Sequence, residues 1–583
     1  MSNPAPRPAP GSVFAPRAGA TSADHGSEPQ PEAAPASASN ESPAADTGAQ
    51  VQANDIGGSA PAVDPRDLRV HIRVRPRLGT RRVSASIAPA VLRRPPRVAG
   101  SLLRLSLALA LAYGALGGGL LYWQVVQAQQ LTTDPLNPIV IQAARDAPRG
   151  TIYDVNGKVL ADNVPGSNHQ RQYPYAVAAP VVGYRSDIFG TAGLESTFDA
   201  QLTGLAGLSS GSELLRKFSS QAYNPADLHT SLDISLQLAA ANLLGDQHGA
   251  VVAIEPSTGR ILALVSSPTY DPNKVVDPNN GRHYVASLQA STDSPLLDRA
   301  TQGLYVPGSV FKIVTSIAGL SSGAFTPDTT YADQPGEIQT GFLVDGFRIH
   351  DYPRKVQTDH PLDYAEALEV SDNIWFAHAG LDTGPQNMVD WAARLGFGQR
   401  IPFDLPTSPS QVNDGTGPLD GFRDRVELAN AAYGQADVLV TPLQMALVAS
   451  TIADNGLEMK PKLVDYLETS DGTVTHIDPQ AWTQVCDPSV ASTIGQAMVQ
   501  AVEGQYGKLF AGGAAIPGVT VAGKSGTAQL GGNAAPHSWF IGYAPAEAPR
   551  IAIAVIVEGG GAGAQKAVPM GGELMADYLN ERH

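Results

Sequence analysis

Cysteine is almost absent from this 583-residue sequence, in which Cys486 is the single thiol. One thiol can form neither an intrachain disulfide nor a thiolate metal cluster. Free cysteines usually behave as small buried apolar residues, so we predict a buried structural role for Cys486. The histidines are scattered, without i, i+4 pairs beside carboxylates, and we predict neither a metal site nor a cofactor.

Charge is also sparse, at 16% of residues, and the net charge is −16. A general nucleic-acid binder normally carries a basic face, so the composition argues against that class. Ten arginines between positions 66 and 97 depart from the trend. Before position 64 the chain is dominated by Pro, Ala, Ser and Gly and has almost no large apolar residues. We predict that residues 1–100 are a disordered tail that ends in a basic segment.

Long apolar runs are absent except for one, which has no charged residue from Leu105 to Tyr122. About 20 helical residues cross the roughly 30 Å hydrocarbon core of a bilayer. The arginine segment precedes this run, and positive residues stay on the cytoplasmic side. We therefore predict a single-pass membrane protein with a transmembrane helix over 101–127, a cytoplasmic N-terminus and an extracytoplasmic remainder. Gly114 and Gly118 either admit a partner helix or belong to a flexible anchor without one.

Two hairpins mark the part after this run. One turns at Asn156-Gly157 within residues 149–161, and the other joins strands 248–254 and 260–265. A helix is predicted between them over 231–244. The following chain is mainly helical, and helices are predicted over 309–320, 364–379, 385–395, 442–455 and 488–502. Strands return late, at 519–522, 538–543 and 550–558, before a helix over 573–580. Strands at both ends of a domain predict one sheet built from both of its termini, in a mixed α/β (α+β) fold.

Three short motifs occur in order. Ser309-Val-Phe-Lys312 opens a predicted helix, Ser371-Asp-Asn373 sits at a break in the helical region, and Lys524-Ser-Gly-Thr527 follows an apolar strand. Together they form the signature of penicillin-binding proteins and class A β-lactamases. Each is weak alone, but Ser309 is the only serine three residues before a lysine. The set in this order therefore indicates a catalytic site.

The chemistry of the first motif favours covalent catalysis. Positions i and i+3 share a helix face, so Lys312 should lie beside Ser309. A serine hydroxyl needs a neighbouring base, and a desolvated lysine near a second cation can be that base. We expect Lys524 to supply that second charge. Pro307-Gly308 places Ser309 at a helix N-terminus, where backbone N–H groups favour an oxyanion.

The other two motifs suit proton transfer and substrate binding. Ser371 can pass a proton between a lysine and a leaving amine, and the Asn373 amide can hold a peptide carbonyl, whereas Asp372 should point away into structure. The third motif offers a cation and two hydroxyls for a carboxylate, and its glycine leaves room for a peptide to add at a strand edge. The predicted catalytic residues are Ser309, Lys312, Ser371, Asn373 and Lys524, and the predicted substrate-binding residues are Ser525, Gly526 and Thr527.

At these residues the sequence resembles a class B penicillin-binding protein, a monofunctional D,D-transpeptidase of peptidoglycan. The resemblance runs from about position 148 to the C-terminus and includes the segments 148–161, 193–195, 267–273, 305–312, 441–446 and 537–545. It implies the penicilloyl-transferase fold, a five-stranded antiparallel sheet with helices on both sides. It also implies an acyl-enzyme on Ser309, Lys312 as base, and an oxyanion hole of the Ser309 and Thr527 backbone N–H groups.

The same resemblance implies stem peptides as substrates, β-lactams as inhibitors and a polytopic membrane glycosyltransferase as partner. We expect a small pedestal domain, dimerisation-like, over 128–228 and a transpeptidase domain over 229–583. The pedestal is shorter than in many class B proteins and is closer to a smaller actinobacterial type. A role in cell division or in elongation and cell shape stays open.

Three alternatives remain. A β-lactamase needs a glutamate that activates water, which in class A enzymes lies in an E-x-x-L-N segment. Glu427-Leu-Ala-Asn430 is similar to that segment but has the wrong spacing, so we interpret it as a helix turn. A D,D-carboxypeptidase differs only in using water as the acyl acceptor. A membrane-anchored scaffold or sensor would bind β-lactams or muropeptides without turnover.

Overall fold

The computed structural model describes residues 98–123, 127, 149–167, 170–204, 224–351 and 360–581. The predicted disordered tail and its arginine segment lie outside the described residues, apart from the last three positions of the tail. Residues 124–126 and 128–148, after the apolar run, also lie outside them.

Fifteen α-helices and seventeen strands make up the described part. The helices are α1 (Val98–Leu121), α2 (Ala179–Val182), α3 (Leu194–Thr197), α4 (Asp199–Leu202), α5 (Ile234–Leu244), α6 (Pro272–Val276), α7 (Gly281–Ala290), α8 (Lys312–Ser322), α9 (Gln334–Thr340), α10 (Tyr364–Glu369), α11 (Asn373–Arg394), α12 (Arg425–Ala431), α13 (Pro442–Ala453), α14 (Pro488–Glu503) and α15 (Ala567–Glu581). The strands are β1 (Ile152–Tyr153), β2 (Val159–Asn163), β3 (Arg171–Gln172), β4 (Tyr184–Ser186), β5 (Gly190–Ala192), β6 (Ala226–Thr230), β7 (Gly249–Glu255), β8 (Arg260–Ser267), β9 (Phe342–Val344), β10 (Phe347–Ile349), β11 (Leu457–Met459), β12 (Val464–Thr469), β13 (Val474–His476), β14 (Ala481–Gln484), β15 (Ala522–Ala528), β16 (His537–Ala544) and β17 (Ile551–Val557).

Helix α1 contains the apolar run. Its residues Gly100–Leu121 have a mean hydropathy of 1.4 and are exposed, and the helix is long and apolar enough to cross a membrane. The regular helix ends at Leu121, before the predicted boundary at 127, and Tyr122 and Trp123 continue it as a short wider turn. An exposed apolar helix of this length is what a membrane anchor requires.

A six-stranded sheet combines early and late parts of the chain, in the order β13-β12-β6-β1-β2-β3. The predicted hairpin at Asn156-Gly157 is confirmed by the antiparallel pairing of β1 with β2. Strand β6 pairs in parallel with β1 and antiparallel with β12. Strands β12 and β13 were not predicted from the sequence. Through the pairing of β12 with β6, this sheet joins the predicted pedestal to a segment more than two hundred residues later.

A buried ionic cluster links three segments of the predicted pedestal, through Arg149, Arg171 and Glu195. Both oxygens of the Glu195 carboxylate are paired, one with Arg149 Nε at 2.5 Å and the other with Arg171 Nε at 2.8 Å. Burial alone would raise the pKa of Glu195, but the two guanidinium groups outweigh burial and hold the pKa below its usual value. The carboxylate is therefore a charged structural centre.

The second large sheet has five antiparallel strands in the order β15-β16-β17-β7-β8. Strands β7 and β8 are the predicted second hairpin, and β15 to β17 are the predicted late strands, so the sheet is built from both ends of its domain as expected. Alternate residues of β17 face different cores: Ile553 and Val555 pack in the cluster that includes α5 and α15, whereas Ala554 and Ile556 pack in the one that includes α8 and α13. Helices therefore cover both faces of the sheet, which explains why β17 is apolar throughout.

Three predicted element boundaries were wrong. The strand predicted over 519–522 is β15, which starts at Ala522 and carries the third motif itself, because pairing with β16 overrides the low strand propensity of its Gly and Ser residues. The helix predicted over 364–379 is two helices, α10 and α11, and the interruption at 370–372 confirms the break that was expected at the second motif. The helix predicted over 309–320 starts as a 3₁₀ turn, Gly308–Phe311, before α8.

Candidate active site

Ser309 lies in the 3₁₀ turn that leads into α8, next to the edge strand β15. Gly308 has a left-handed φ of 57°, and its N–H donates to the Gly434 carbonyl oxygen at 2.8 Å. A Cβ atom on Gly308 would lie 2.7 Å from the Thr527 carbonyl oxygen, so only glycine permits this approach. The first motif and the third motif are thus in direct backbone contact, and Ser309 remains partly exposed.

Lys312 is fully buried and faces the second motif. Its Nζ donates to the Ser371 carbonyl oxygen at 2.7 Å, to Asn373 Oδ1 at 2.8 Å and to Ser371 Oγ at 3.2 Å. Ser371 has a left-handed φ of 59°, a strained conformation for a residue other than glycine. This conformation turns both oxygens of Ser371 toward one amine.

Lys524 approaches the same serine from β15. Its Nζ is 2.9 Å from Ser371 Oγ and 3.0 Å from the Ser525 carbonyl oxygen, and the residue is 1% exposed. Burial, and then the positive charge of Lys312, lower the pKa of Lys524 well below its usual value. We expected Lys524 to supply a second charge beside Lys312; the two amines do lie on either side of Ser371 Oγ, but the pKa that is shifted is that of Lys524. The Ser371 hydroxyl therefore lies between two buried amines.

The remaining residues of the third motif line the edge of the sheet. Ser525 and Gly526 are buried, and a Cβ atom on Gly526 would lie 3.0 Å from the Pro307 carbonyl oxygen. Thr527 is partly exposed, and its Oγ1 accepts a hydrogen bond from the Gly563 N–H at 3.2 Å. Strand β15 pairs only with β16 within the described sheet, so its other edge faces the Ser309 turn.

Asp372 points away from the amines, as expected. Its Oδ1 accepts from the Trp375 N–H at 2.7 Å, which caps α11, and its Oδ2 accepts from Gln334 Nε2 at 2.6 Å. Asp351 Oδ1 accepts from the Asn373 N–H at 3.1 Å. Sequence reasoning missed Gln334 and Asp351, because each lies far from the motif along the chain and no spacing rule links them to it.

Cys486, Glu427 and His537 lie in environments that indicate structural roles. Cys486 is 3% exposed, and burial followed by the nearby Asp487 charge raises the pKa of its thiol to about 11, which confirms a buried thiol. Glu427 lies in α12 and accepts a hydrogen bond from the Arg423 N–H at 2.6 Å, so the predicted helix turn is confirmed. His537 Nδ1 accepts from the Gly559 N–H at 3.1 Å, as a structural residue would.

This geometry defines the class of the protein. A partly exposed serine stands at a helix start, a buried lysine follows one helical turn later, and a second serine connects that lysine to another buried amine. Such a site can deprotonate the first serine, accept an acyl group on it and pass protons to and from a leaving or incoming amine. These are the requirements of a serine-type acyl-transfer enzyme.

Comparison with known proteins assigns the family. Residues 249–576 match the penicillin binding protein transpeptidase domain, and residues 149–227 match the penicillin binding protein A dimerisation domain. The chain belongs to the penicillin-binding protein transpeptidase family. The predicted family, its smaller-pedestal type, the fold and the serine-type transpeptidase class are thereby confirmed.

The chain is similar to curated and structurally characterised members of this family. It is 35% identical over 480 residues to peptidoglycan D,D-transpeptidase PbpA of Mycolicibacterium smegmatis, a match that covers 79% of this chain and 94% of the relative. The ceftriaxone acyl-enzyme complex of M. tuberculosis penicillin-binding protein A is 31% identical with a TM-score of 0.66, covering 75% of this chain and 99% of that one. The penicillin G acyl-enzyme complex of the same protein is 31% identical with a TM-score of 0.65, covering 74% and 100%.

Proposed function

We propose that this chain is a membrane-anchored peptidoglycan D,D-transpeptidase that forms an acyl-enzyme on Ser309. The observation that carries the proposal is the position of the Ser371 hydroxyl. It lies 3.2 Å from the Lys312 amine and 2.9 Å from the Lys524 amine, and Lys312 directly follows the 3₁₀ turn that contains Ser309. Family membership and the D,D-transpeptidase relatives support the same activity.

Acylation follows from these contacts. Lys312 acts as the base and takes the proton of the Ser309 hydroxyl as Oγ attacks the carbonyl carbon of the penultimate residue of a stem peptide. The Ser309 and Thr527 backbone N–H groups stabilise the oxyanion. The proton then reaches the leaving amine through Ser371, the peptide bond breaks, and the terminal D-alanine departs.

Deacylation completes the cross-link by the reverse proton path. An amine of a second stem peptide attacks the Ser309 ester and forms a new amide. Ser371 receives the amine proton and passes a proton to Lys312, and Lys312 then protonates Ser309 Oγ as the ester bond breaks. Cross-linking and carboxypeptidase activity thus differ only in whether an amine or water attacks the ester.

The strand edge supplies substrate binding. The donor peptide pairs with the edge of β15 that faces the Ser309 turn, as in strand addition, and its carboxylate is held by the Thr527 hydroxyl together with Ser525 and Lys524. Asn373 Oδ1 accepts from Lys312, so its amide N–H group is directed to a substrate carbonyl. β-Lactams carry a carboxylate and an acylating carbonyl, and the acyl-enzyme complexes of similar proteins support the same binding here.

The membrane arrangement is part of this proposal. Helix α1 anchors the protein with the arginine-rich N-terminus in the cytoplasm and the catalytic domain outside, because positive residues are retained inside. The glycine spacing Gly114/Gly118 suits close approach of another helix, and the proposed partner is a polytopic membrane glycosyltransferase. Domain boundaries at 128–228 and 229–583 remain predictions.

Intact-mass spectrometry of the detergent-solubilised chain with benzylpenicillin tests the function. We expect one stable adduct that maps to Ser309, and we expect Ser309→Ala to abolish it with the fold intact. Ser322→Ala, at the other end of α8, is the matched control and should label normally. Rapid loss of the adduct with accumulation of hydrolysed drug would favour a hydrolase, and the absence of any adduct on the unmodified chain would favour a scaffold or sensor.

A further inference from the structure

The loop that follows β17, residues 558–563, connects two parts of the active site that are far apart in the sequence. At its start, Glu558 Oε1 accepts from the Tyr305 hydroxyl at 2.7 Å and from Arg299 Nε at 2.8 Å. The Arg299 side chain is 4% exposed, and Tyr305 is 8% exposed. Burial, followed by the Glu558 charge, raises the pKa of Tyr305 well above its usual value, so the tyrosine is a neutral donor. Charge-assisted bonds of this kind are stronger than neutral ones.

Tyr305 lies four residues before Ser309 and fixes the chain that leads into the serine turn. Its backbone exchanges two hydrogen bonds with Val440, both of 2.9 Å. Its ring packs edge-on against Trp539 at 6.2 Å, and Trp539 Nε1 donates to the Val306 carbonyl oxygen at 3.0 Å. Movement of Tyr305 would therefore shift the turn that carries the nucleophile.

The other end of the loop contacts the third motif. The Gly563 N–H donates to Thr527 Oγ1 at 3.2 Å. A Cβ atom on Gly563 would lie 2.4 Å from the Gly526 carbonyl oxygen, so the loop backbone packs directly against β15. A hydroxyl has one hydrogen to donate and two acceptor lone pairs. Because the Thr527 hydroxyl accepts from Gly563, its hydrogen remains available for a substrate carboxylate.

Between its two ends the loop is fixed to the start of β16. The Gly559 N–H donates to His537 Nδ1 at 3.1 Å, the Gly561 N–H donates to the Pro536 carbonyl oxygen at 3.0 Å, and Ser538 Oγ donates to the Ala562 carbonyl oxygen at 3.2 Å. The loop is thus held along its whole length, so Glu558 at its start and Gly563 at its end have a fixed separation.

We propose that Glu558 is a positioning residue for acylation, which sets the distance between the Ser309 nucleophile and the carboxylate-binding hydroxyl of Thr527. It holds Tyr305 on one side and starts the loop that orients Thr527 on the other. The inference rests on the proposed transpeptidase function. Glu558 contacts none of the reacting groups, and it acts through Tyr305 and Gly563.

Glu558→Gln tests the proposal in the detergent-solubilised full chain. The amide cannot reproduce the charged pairing with Arg299, whereas its size is unchanged. The matched control is Glu255→Gln, at the far end of the adjacent strand β7, where the carboxylate pairs with Arg260 and has 24% side-chain exposure against 25% for Glu558. The readout is the second-order rate constant of acylation by benzylpenicillin and by its methyl ester, which lacks the carboxylate.

We expect Glu558→Gln to slow acylation by benzylpenicillin about 10- to 100-fold, because a small displacement of the carboxylate-binding hydroxyl relative to Ser309 misorients the bound drug. The methyl ester has no carboxylate for that hydroxyl to hold, so its rate should fall by less than about threefold. Glu255→Gln should change neither rate. Equal losses for both compounds, or no loss for either, would overturn the positioning role. If Glu558→Gln does not fold, Tyr305→Phe removes one of the two bonds to the carboxylate and should show the same selectivity for the free acid. Failure of the unmodified chain to be acylated would instead contradict the proposed function.

Discussion

Replacing Lys524 by methionine should make the protein more stable and less active. The side chains are similar in length, but the change removes an amine that is 1% exposed and lies beside another buried lysine. The amine makes two hydrogen bonds, to Ser371 Oγ and to the Ser525 carbonyl oxygen. Each is worth about 1 kcal/mol net, whereas burying an ammonium ion costs several kcal/mol. We expect Lys524→Met to raise the free energy of unfolding by about 1–3 kcal/mol at pH 7.

The stability difference between Lys524→Met and the unmodified protein should depend on pH. The pKa of Lys524 is lowered from 10.5 by burial and then by Lys312. Between that lowered pKa and 10.5 the unfolded chain binds more protons than the folded chain, so the stability of the unmodified protein rises with pH in this window, by about 1.4 kcal/mol for each unit of pKa shift. The methionine variant lacks this contribution. Its stability advantage should therefore be largest at low pH and shrink as the pH rises.

Thermal unfolding midpoints at pH 6, 7.5 and 9, taken at one scan rate, measure the effect. The exposed Lys508→Met is the control and should show no such trend. Acylation by benzylpenicillin should fall by at least about 100-fold in Lys524→Met, because the Ser371 hydroxyl loses one of its two proton partners. A variant that is less stable at every pH, or whose advantage is the same at every pH, would refute the account of Lys524 as a buried amine held at a stability cost.

Three further outcomes follow from the buried groups. Lys312→Ala should slow benzylpenicillin labelling at neutral pH by at least about 100-fold, since it removes the base, and unchanged labelling would mean that another group takes the proton. Glu195→Gln should cost about 3–5 kcal/mol, seen as a lower unfolding midpoint, because Arg149 and Arg171 lose their buried carboxylate; an unchanged midpoint would contradict this. Cys486, with a thiol pKa of about 11, should react with a thiol reagent at pH 7.5 only after denaturant is added, and prompt reaction of the native chain would show that it is accessible.

Local signals account for the elements that could be predicted from the sequence. Asn156-Gly157 specifies a tight turn, and Gly157 has the expected positive φ of 78°. Asp233 caps α5 by accepting from the Ser235 N–H at 3.0 Å. Strand β12 could not be found in this way, because its residues are mostly half-exposed and its neighbour β6 lies more than two hundred residues earlier. Pairing over such distances is decided by the whole fold and leaves no periodic pattern in the strand.

In the active site, too, some contacts are predicted by local sequence and others depend on the whole fold. Helical spacing predicts that Lys312 lies near Ser309. The order of the three motifs predicts that Ser371 and Lys524 belong to the same site. The contacts of Gln334 with Asp372 and of Asp351 with Asn373 could not be predicted, since they depend on how α9 and the β9–β10 hairpin lie against the start of α11. The third motif was expected to follow a strand, but it is the strand, because its polar and small residues are tolerated at an edge that pairs with β16.

The second motif begins with serine although the backbone conformation at position 371 would favour glycine. A left-handed φ of 59° would suit glycine better, and retaining a larger residue there costs on the order of 1–3 kcal/mol. Glycine, however, has no hydroxyl to receive the two amines at 3.2 and 2.9 Å. With both lone pairs engaged by Lys312 and Lys524, the Ser371 hydroxyl hydrogen is available to a third group, which is the nitrogen of a leaving or incoming amine. The strain is thus tied to the step in which a proton must cross between the two lysines and the substrate.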